Sequence, residues 1–219
     1  MSETCIRRFY FWSSTYLNRR LFAKNGYSVA LLARGANYVN QVADEINASG
    51  GHVSFGWAQV CRSDNYLTQA APFPVSSYSD DNLASAWEAV HAKFPKPQYI
   101  IRVALFNVAH NVRKPFLDVT PQDVQDCLQT SVAAAFSFAR GAILAFKDNV
   151  IEQPTGKRGA LIFTGATASL RGNVVTSAFS AGKHGTRALS QSLAKEFGKE
   201  NIHVCHVRSY QFILSRFDF

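Results

Sequence analysis

The feature that most constrains this chain is a repeating alternation. A continuous apolar run of strand length is followed by a stretch that carries apolar residues on one helical face. Residues 27–33 (YSVALLA) and Tyr99–Phe106 (YIIRVALF) have almost no polar interruption. A strand open to water on one side would alternate polar with apolar. An unbroken run belongs to a strand covered on both faces, which is the situation in a parallel sheet. Between these runs Val39, Val42, Ala43 and Ile46 share one helical face, with Gly50 and Gly51 beyond it. Residues 80–93 place Leu83, Trp87 and Val90 together in the same way. Thr120-Pro121 has the chemistry of a cap and a first helical residue. Behind it Val124, Leu128, Val132, Phe136, Ala139 and Ile143 form a stripe reaching to about Lys147. A strand is expected at 160–163, a long helix at 178–199 and a last strand at 202–207. The pattern predicts an α/β fold: a Rossmann-like, doubly wound parallel sheet, one domain over residues 1–219. Ligands in such sheets bind outside the carboxyl ends of the strands. Here those ends are Arg34-Gly35, residues 107–111 and residues 164–169.

Composition narrows the function classes. The 219 residues suit one domain, and a 47% hydrophobic content supplies a core. The net charge of +8 is spread along the chain without a recognition motif, so it reads as a solvated basic surface and not as a nucleic-acid interface. Cys5, Cys61, Cys127 and Cys205 are far apart, with no ligand spacing, which argues against a metal site and for free thiols. No apolar run approaches the ~20 residues that span a bilayer. A cytoplasmic protein without membrane contact is expected.

Two segments carry a specific likeness. FNVAHNVRKPFLDVTPQDV resembles the N-N-A-G strand end of the short-chain dehydrogenase/reductase family, with the loop and helix that follow. GALIFTGATASLRGNVVTSAFSAGKHGTRALSQSLAKEFGKENIHVCHV resembles the family's next strand, active-site loop, Y-x-x-x-K helix and sixth strand. Together they cover about half the chain. The wording T-G-A-T-A-S is similar to one branch of the family, common in fungi and bacteria, which often has phenylalanine in place of the tyrosine.

The resemblance implies a mechanism. In the family a tyrosine exchanges a proton with the substrate oxygen. A lysine one turn later lowers the tyrosine's pKa and holds the nicotinamide ribose. A serine orients the substrate, and an asparagine supports a relay water. Matched position by position, Phe179 stands at the tyrosine, Lys183 at the lysine, Ala166 at the serine and Ser131 at the asparagine. Thr167, with Thr164 and Ser169, offers hydroxyls near the same loop. Phenylalanine has no proton to give, so general acid–base catalysis cannot run through position 179.

On the cofactor side the resemblance implies Arg34, Asn107, Ala109 and Lys183. An arginine ending the second strand suits the 2′-phosphate of NADP, where an acidic residue would suit NAD. NADP(H) is therefore expected over NAD(H). Weak binding is expected, because the family's glycine-rich turn is missing. No glycine precedes Gly26. Residues 5–12 would form the first strand, and Ser13-Ser14-Thr15 would stand at the diphosphate.

Residues 1–18, 57–71 and 208–219 do not match the family. The middle stretch is expected to be irregular. Beyond residue 208 the family's substrate-binding segment is replaced, and the fold is expected to be incomplete at that end. Divergence and intron-derived residues in a faulty gene model are both open explanations. Two functions from different classes follow. One is an oxidoreductase moving hydride between nicotinamide and a small carbonyl or alcohol, impaired as the chain stands. The other is an inactive relative that serves association, including as a homodimer. In that case Phe136, Phe138, Phe146 and Phe197 would face a partner; the alternative is that all four are core.

Overall fold

The computed structural model of the chain describes residues 7–12, 22–23, 27–48 and 69–208. Six parallel strands form one sheet: β1 (Arg7–Trp12), β2 (Ser28–Ala33), β3 (Ala70–Pro74), β4 (Tyr99–Phe106), β5 (Gly159–Gly165) and β6 (Ile202–Arg208). Their order is β3-β2-β1-β4-β5-β6. The order reverses at β1, so β1 and β4 flank the crevice where a doubly wound sheet binds ligands. Helix α1 (Ala36–Ala48) follows β2, and α2 (Asp80–Lys93) follows β3. After β4 come α3 (Pro121–Leu128), a π-helical turn at Gln129–Ala133 and α4 (Ala134–Lys147). Helix α5 (Ser177–Phe197) joins β5 to β6. The expected Rossmann-like parallel sheet is found. Strand β1 lies between β2 and β4.

The middle stretch needs a correction. Residues 57–68 lie outside the described residues. Ala70 and Ala71, expected to be irregular, are instead ladder residues of β3 opposite Val29 and Ala30. The Asn47 side chain fixes the start of that strand. Its Nδ2 donates to the Ala70 carbonyl at 3.0 Å, and its Oδ1 accepts the Ala70 N–H at 2.8 Å. The expected phosphate turn at Ser13-Ser14-Thr15 and the segment after Arg208 also lie outside the described residues.

Alternation along the strands feeds two cores. Ala30, Leu32, Phe106, Phe163 and Val204 pack with Trp87, Phe138 and Leu189 on one face. Val29, Leu31 and Ala33 pack with Val39, Val42 and Ile46 of α1 on the other. Each large aliphatic or aromatic side chain sealed this way contributes roughly 1.5–3 kcal/mol. The four phenylalanines divide between the two expectations. Phe138 and Phe146 are core, whereas Phe136 is 56% exposed. Phe197 is half-buried and packs against the core edge.

Local chemistry fixes the helices. The Ser79 side chain caps α2, with Asp80 and Asp81 in its first turn. At α3, Thr120 Oγ1 accepts the Asp123 N–H while Asp123 Oδ2 accepts the Thr120 N–H, a reciprocal capping box with Pro121 inside it. Lys114 Nζ reaches Asp123 Oδ2 at 2.7 Å and ties the loop after β4 to this cap. Pro121–Lys147 is long and apolar enough to cross a membrane. Eight residues of α4 are buried within the protein, which accounts for that hydropathy. Cys127 is buried and Cys205 half-buried, both as free thiols.

Candidate active site

Strand β5 ends at Gly165, and the chain turns sharply over the carboxyl edge of the sheet. Ala166 is extended, and Thr167–Ser169 close a 3₁₀ turn. Ser169 holds the turn twice. Its Oγ accepts the Ala166 N–H at 3.1 Å, and its own N–H donates to the Ala166 carbonyl at 2.9 Å. Helix α5 then runs back along the sheet and packs on this turn.

Lys183 is the central cation of the edge. It is only 5% exposed. Its Nζ donates to the Thr164 carbonyl at 2.9 Å and to the Val108 carbonyl at 3.5 Å. It thereby bridges the ends of β5 and β4. Burial lowers its pKa from 10.5 to about 8, because a low-dielectric site disfavours the ammonium. An ammonium has three donors, so two carbonyls leave one proton for a further acceptor.

Phe179 lies one turn earlier on α5 and is half-buried. Ala166 and Thr167 are half-buried in the turn beside β5. Ser131 is elsewhere in character. It sits in the π-helical turn, is fully buried, and its Oγ has no hydrogen-bond partner among the described residues. A Cβ on Gly182 would stand 3.0 Å from both Ser131 Cβ and Oγ, so this turn presses directly on α5. The Ser131 carbonyl accepts from Thr186 Oγ1 at 2.7 Å. Its hydroxyl is therefore sealed into a helix–helix contact.

His206 was not singled out by the sequence, yet it belongs to this edge. A Cβ on Gly165 would fall 2.0 Å from His206 Cε1, 2.2 Å from Nε2 and 2.9 Å from Ser169 Oγ. The imidazole occupies the space that glycine leaves open. Its Nε2 is buried without a partner among the described residues. Burial, and then Lys183 and Arg187, lower its pKa below the ordinary 6.5. The signal was unreadable in sequence because the contact crosses from β5 to β6.

On the far side of β1, Arg34 is exposed at the end of β2. Its guanidinium carbon lies 5.2 Å from the centre of the Tyr78 ring. No ion pair among the described residues includes Arg34. Asn107 is half-buried and Ala109 exposed just after β4. The His110 carbonyl accepts from Cys127 Sγ at 3.3 Å. His184, next to Lys183, turns its Nδ1 to the Ser180 carbonyl at 2.9 Å. Among the described residues no group of three His, Cys, Asp or Glu side chains could hold a metal ion.

Known proteins share both the fold and the sequence pattern. A short-chain dehydrogenase from Rhodopseudomonas palustris superposes with a TM-score of 0.74 at 25% identity, covering 94% of this chain and 85% of its own. A metagenomic short-chain oxidoreductase in complex with NADP gives 0.75 at 17% identity, covering 95% and 85%; at that identity the likeness shows the fold alone. An A-factor type gamma-butyrolactone 1′-reductase (1S-forming) of Streptomyces virginiae is 24% identical over 187 residues, which are 85% of this chain. The chain spans 62% of that relative's length. The family model for short chain dehydrogenases matches residues 19–212. With most of its length matched, and with a parallel sheet of the same architecture, the chain belongs to the short-chain dehydrogenase family.

Proposed function

We propose that the chain binds NADP(H) weakly and is an impaired oxidoreductase for a small carbonyl or alcohol. The observation that carries this reading is Lys183: a buried ammonium at the ends of β4 and β5 with one proton uncommitted. That donor suits a ribose hydroxyl. Arg34, across β1, is exposed and in no ion pair among the described residues, and its guanidinium suits a 2′-phosphate. Asn107 and Ala109 would line the adenosine side. The donor set thus fits a nicotinamide dinucleotide, which when bound supplies or accepts a hydride.

The chain's own residues limit the rest. Lys183 holds the ribose, and its charge favours an anionic oxygen nearby. Phe179 contributes shape and excludes water but moves no proton. Ala166 offers no hydroxyl to a substrate, and Thr167 is the nearest replacement in the turn. Ser131 is too enclosed to serve a relay. The glycine-free turn expected at Ser13-Ser14-Thr15 weakens the hold on the diphosphate. Each charge-assisted hydrogen bond lost there costs roughly 1.5–3 kcal/mol, and two losses amount to about two to four powers of ten in affinity. The relative named as a gamma-butyrolactone reductase supports carbonyl reduction as the reaction class, and the neighbour solved with NADP supports the cofactor.

The test is a tryptophan-fluorescence titration with NADPH. Saturable quenching with a dissociation constant well above 1 μM, weakened about tenfold or more by Lys183→Ala, is expected. No response at millimolar NADPH, or one indifferent to Lys183→Ala, would overturn the reading.

A second reading is self-association without catalysis. Phe136 and Leu144 are 56% and 54% exposed, and with Arg140, Leu193 and Phe197 they line a groove between α4 and α5. Exposed apolar area of this kind suits a second copy of the chain. A monomer at high micromolar concentration by analytical ultracentrifugation would remove it.

A further inference from the structure

Arg34 is exposed but not loosely held. The Tyr78 ring beneath it is 8% exposed and belongs to the main core. The segment that carries Tyr78 is also fixed. The Val75 N–H donates to the Ala33 carbonyl at 3.1 Å, continuing the β2–β3 pairing past Pro74. Asn82 Nδ2 then donates to Ser76 Oγ at 3.0 Å and to Ser77 Oγ at 2.8 Å, while the Ser79 side chain caps α2. An aromatic platform is therefore built in at the end of β3, and the guanidinium lies over it at 5.2 Å. Burial pushes the Tyr78 phenol's pKa up, against the pull of Arg34, so at neutral pH the platform is an uncharged ring.

The Tyr78 hydroxyl also accepts hydrogen bonds from the Arg34 side chain and backbone; a guanidinium held this way over a ring has five N–H donors, and those not used by the phenol remain for contact with a phosphate. It also loses less freedom on binding, because it is already oriented. The surroundings favour an anion. Helix α1 begins at Ala36 with no acidic residue in its first turn, so its N-terminal dipole is not offset.

We propose that Tyr78 is a positioning residue that orients Arg34 for the 2′-phosphate and thereby sets the preference for NADP(H) over NAD(H). This rests on the NADP(H) reading above. Tyr78 acts through Arg34 and need not touch the cofactor.

The experiment is calorimetric titration of the full chain with adenosine 2′,5′-bisphosphate and with 5′-AMP, which differ only in the 2′-phosphate. The unmodified protein should prefer the bisphosphate about tenfold or more, and Arg34→Ala should abolish that preference. Tyr78→Met, which removes the ring at similar volume, should lower the preference about three- to tenfold and leave 5′-AMP affinity unchanged. Tyr78→Phe, which keeps the ring but loses the hydroxyl's hydrogen bonds to Arg34, should fall between the unmodified protein and Tyr78→Met. Arg34→Lys, at an exposed position that does not threaten folding, should lose preference as Tyr78→Met does, because an ammonium cannot stack as a plane. Full preference in Tyr78→Met or in Arg34→Lys would overturn the role of the stack while leaving the NADP(H) reading intact. No preference in the unmodified protein would instead overturn the NADP(H) reading, and this proposal with it.

Discussion

The Lys183 ammonium lies 2.9 Å from the Thr164 carbonyl oxygen, and no ion pair among the described residues includes it. A buried cation held only by backbone carbonyls opposes stability. Folding drops its pKa from 10.5 to about 8. Between those values the unfolded chain keeps a proton that the folded protein has released, so stability rises with pH across that window. The cost is complete below pH 8 and gone above 10.5. Lys183→Met should therefore stabilise the protein at pH 7 by on the order of 2 kcal/mol, with the gain shrinking at pH 9–10. Urea unfolding at the two pH values checks this. A destabilised Lys183→Met protein at pH 7 would contradict it.

Gly165→Ala should be destabilising. The new Cβ would fall 2.0 Å from His206 Cε1 and 2.2 Å from Nε2. Overpacking of this kind costs about 1–3 kcal/mol. His206→Ala opens the same space, so the double variant should recover most of the loss. A double-mutant cycle in denaturant measures the coupling, and additive effects would mean the two positions do not share that space.

His206 also sets an acid response. Its pKa is lowered by burial and by Lys183 and Arg187, and that of His91 is lowered by burial and Lys96. For both, the unfolded state binds protons first as pH falls below 6.5, so stability should decline there. His206→Gln should flatten part of that decline in thermal melts between pH 7 and 5. An unchanged slope would show that the imidazole is not buried in solution.

Ser131→Ala should leave NADPH affinity unchanged and raise stability by up to about 1 kcal/mol, because it removes a buried hydroxyl without a partner. Ser131→Asn should cost about 1–3 kcal/mol, because the turn packs so closely on α5 that even a Cβ added to Gly182 would stand 3.0 Å from Ser131 Cβ and Oγ. Fluorescence titration and urea unfolding check both. Loss of binding in Ser131→Ala would show that the hydroxyl reaches the cofactor.

The helices were the most readable part of the sequence. Asp80–Lys93 and the Thr120-Pro121 start are set by caps and by an apolar stripe, both local signals. Strand β3 was not readable, because AAPFP contains two prolines that argue against a ladder position. It is tolerated because β3 lies at the edge of the sheet, where one side needs no partner. The π turn at Gln129–Ala133 breaks no periodicity strongly enough to be seen in sequence. Lys183 was found through the likeness of its segment to the family's Y-x-x-x-K helix, whose four-residue spacing places Phe179 and Lys183 on one side of a helix. His206 and Tyr78 were not, since each meets the edge only through a neighbouring strand.

NADPH consumption with a panel of small ketones and aldehydes, for the unmodified chain and for Phe179→Tyr, tests whether position 179 limits catalysis. General acid–base catalysis contributes about 10²–10⁴-fold, and position 179 has no proton to supply. Slow or absent turnover is expected from the unmodified chain. Phe179→Tyr alone should not restore it, because Ala166, Ser131 and the glycine-free sequence Ser13-Ser14-Thr15 remain. Robust turnover by the unmodified protein, abolished by Lys183→Ala, would contradict the account and show that another group delivers the proton.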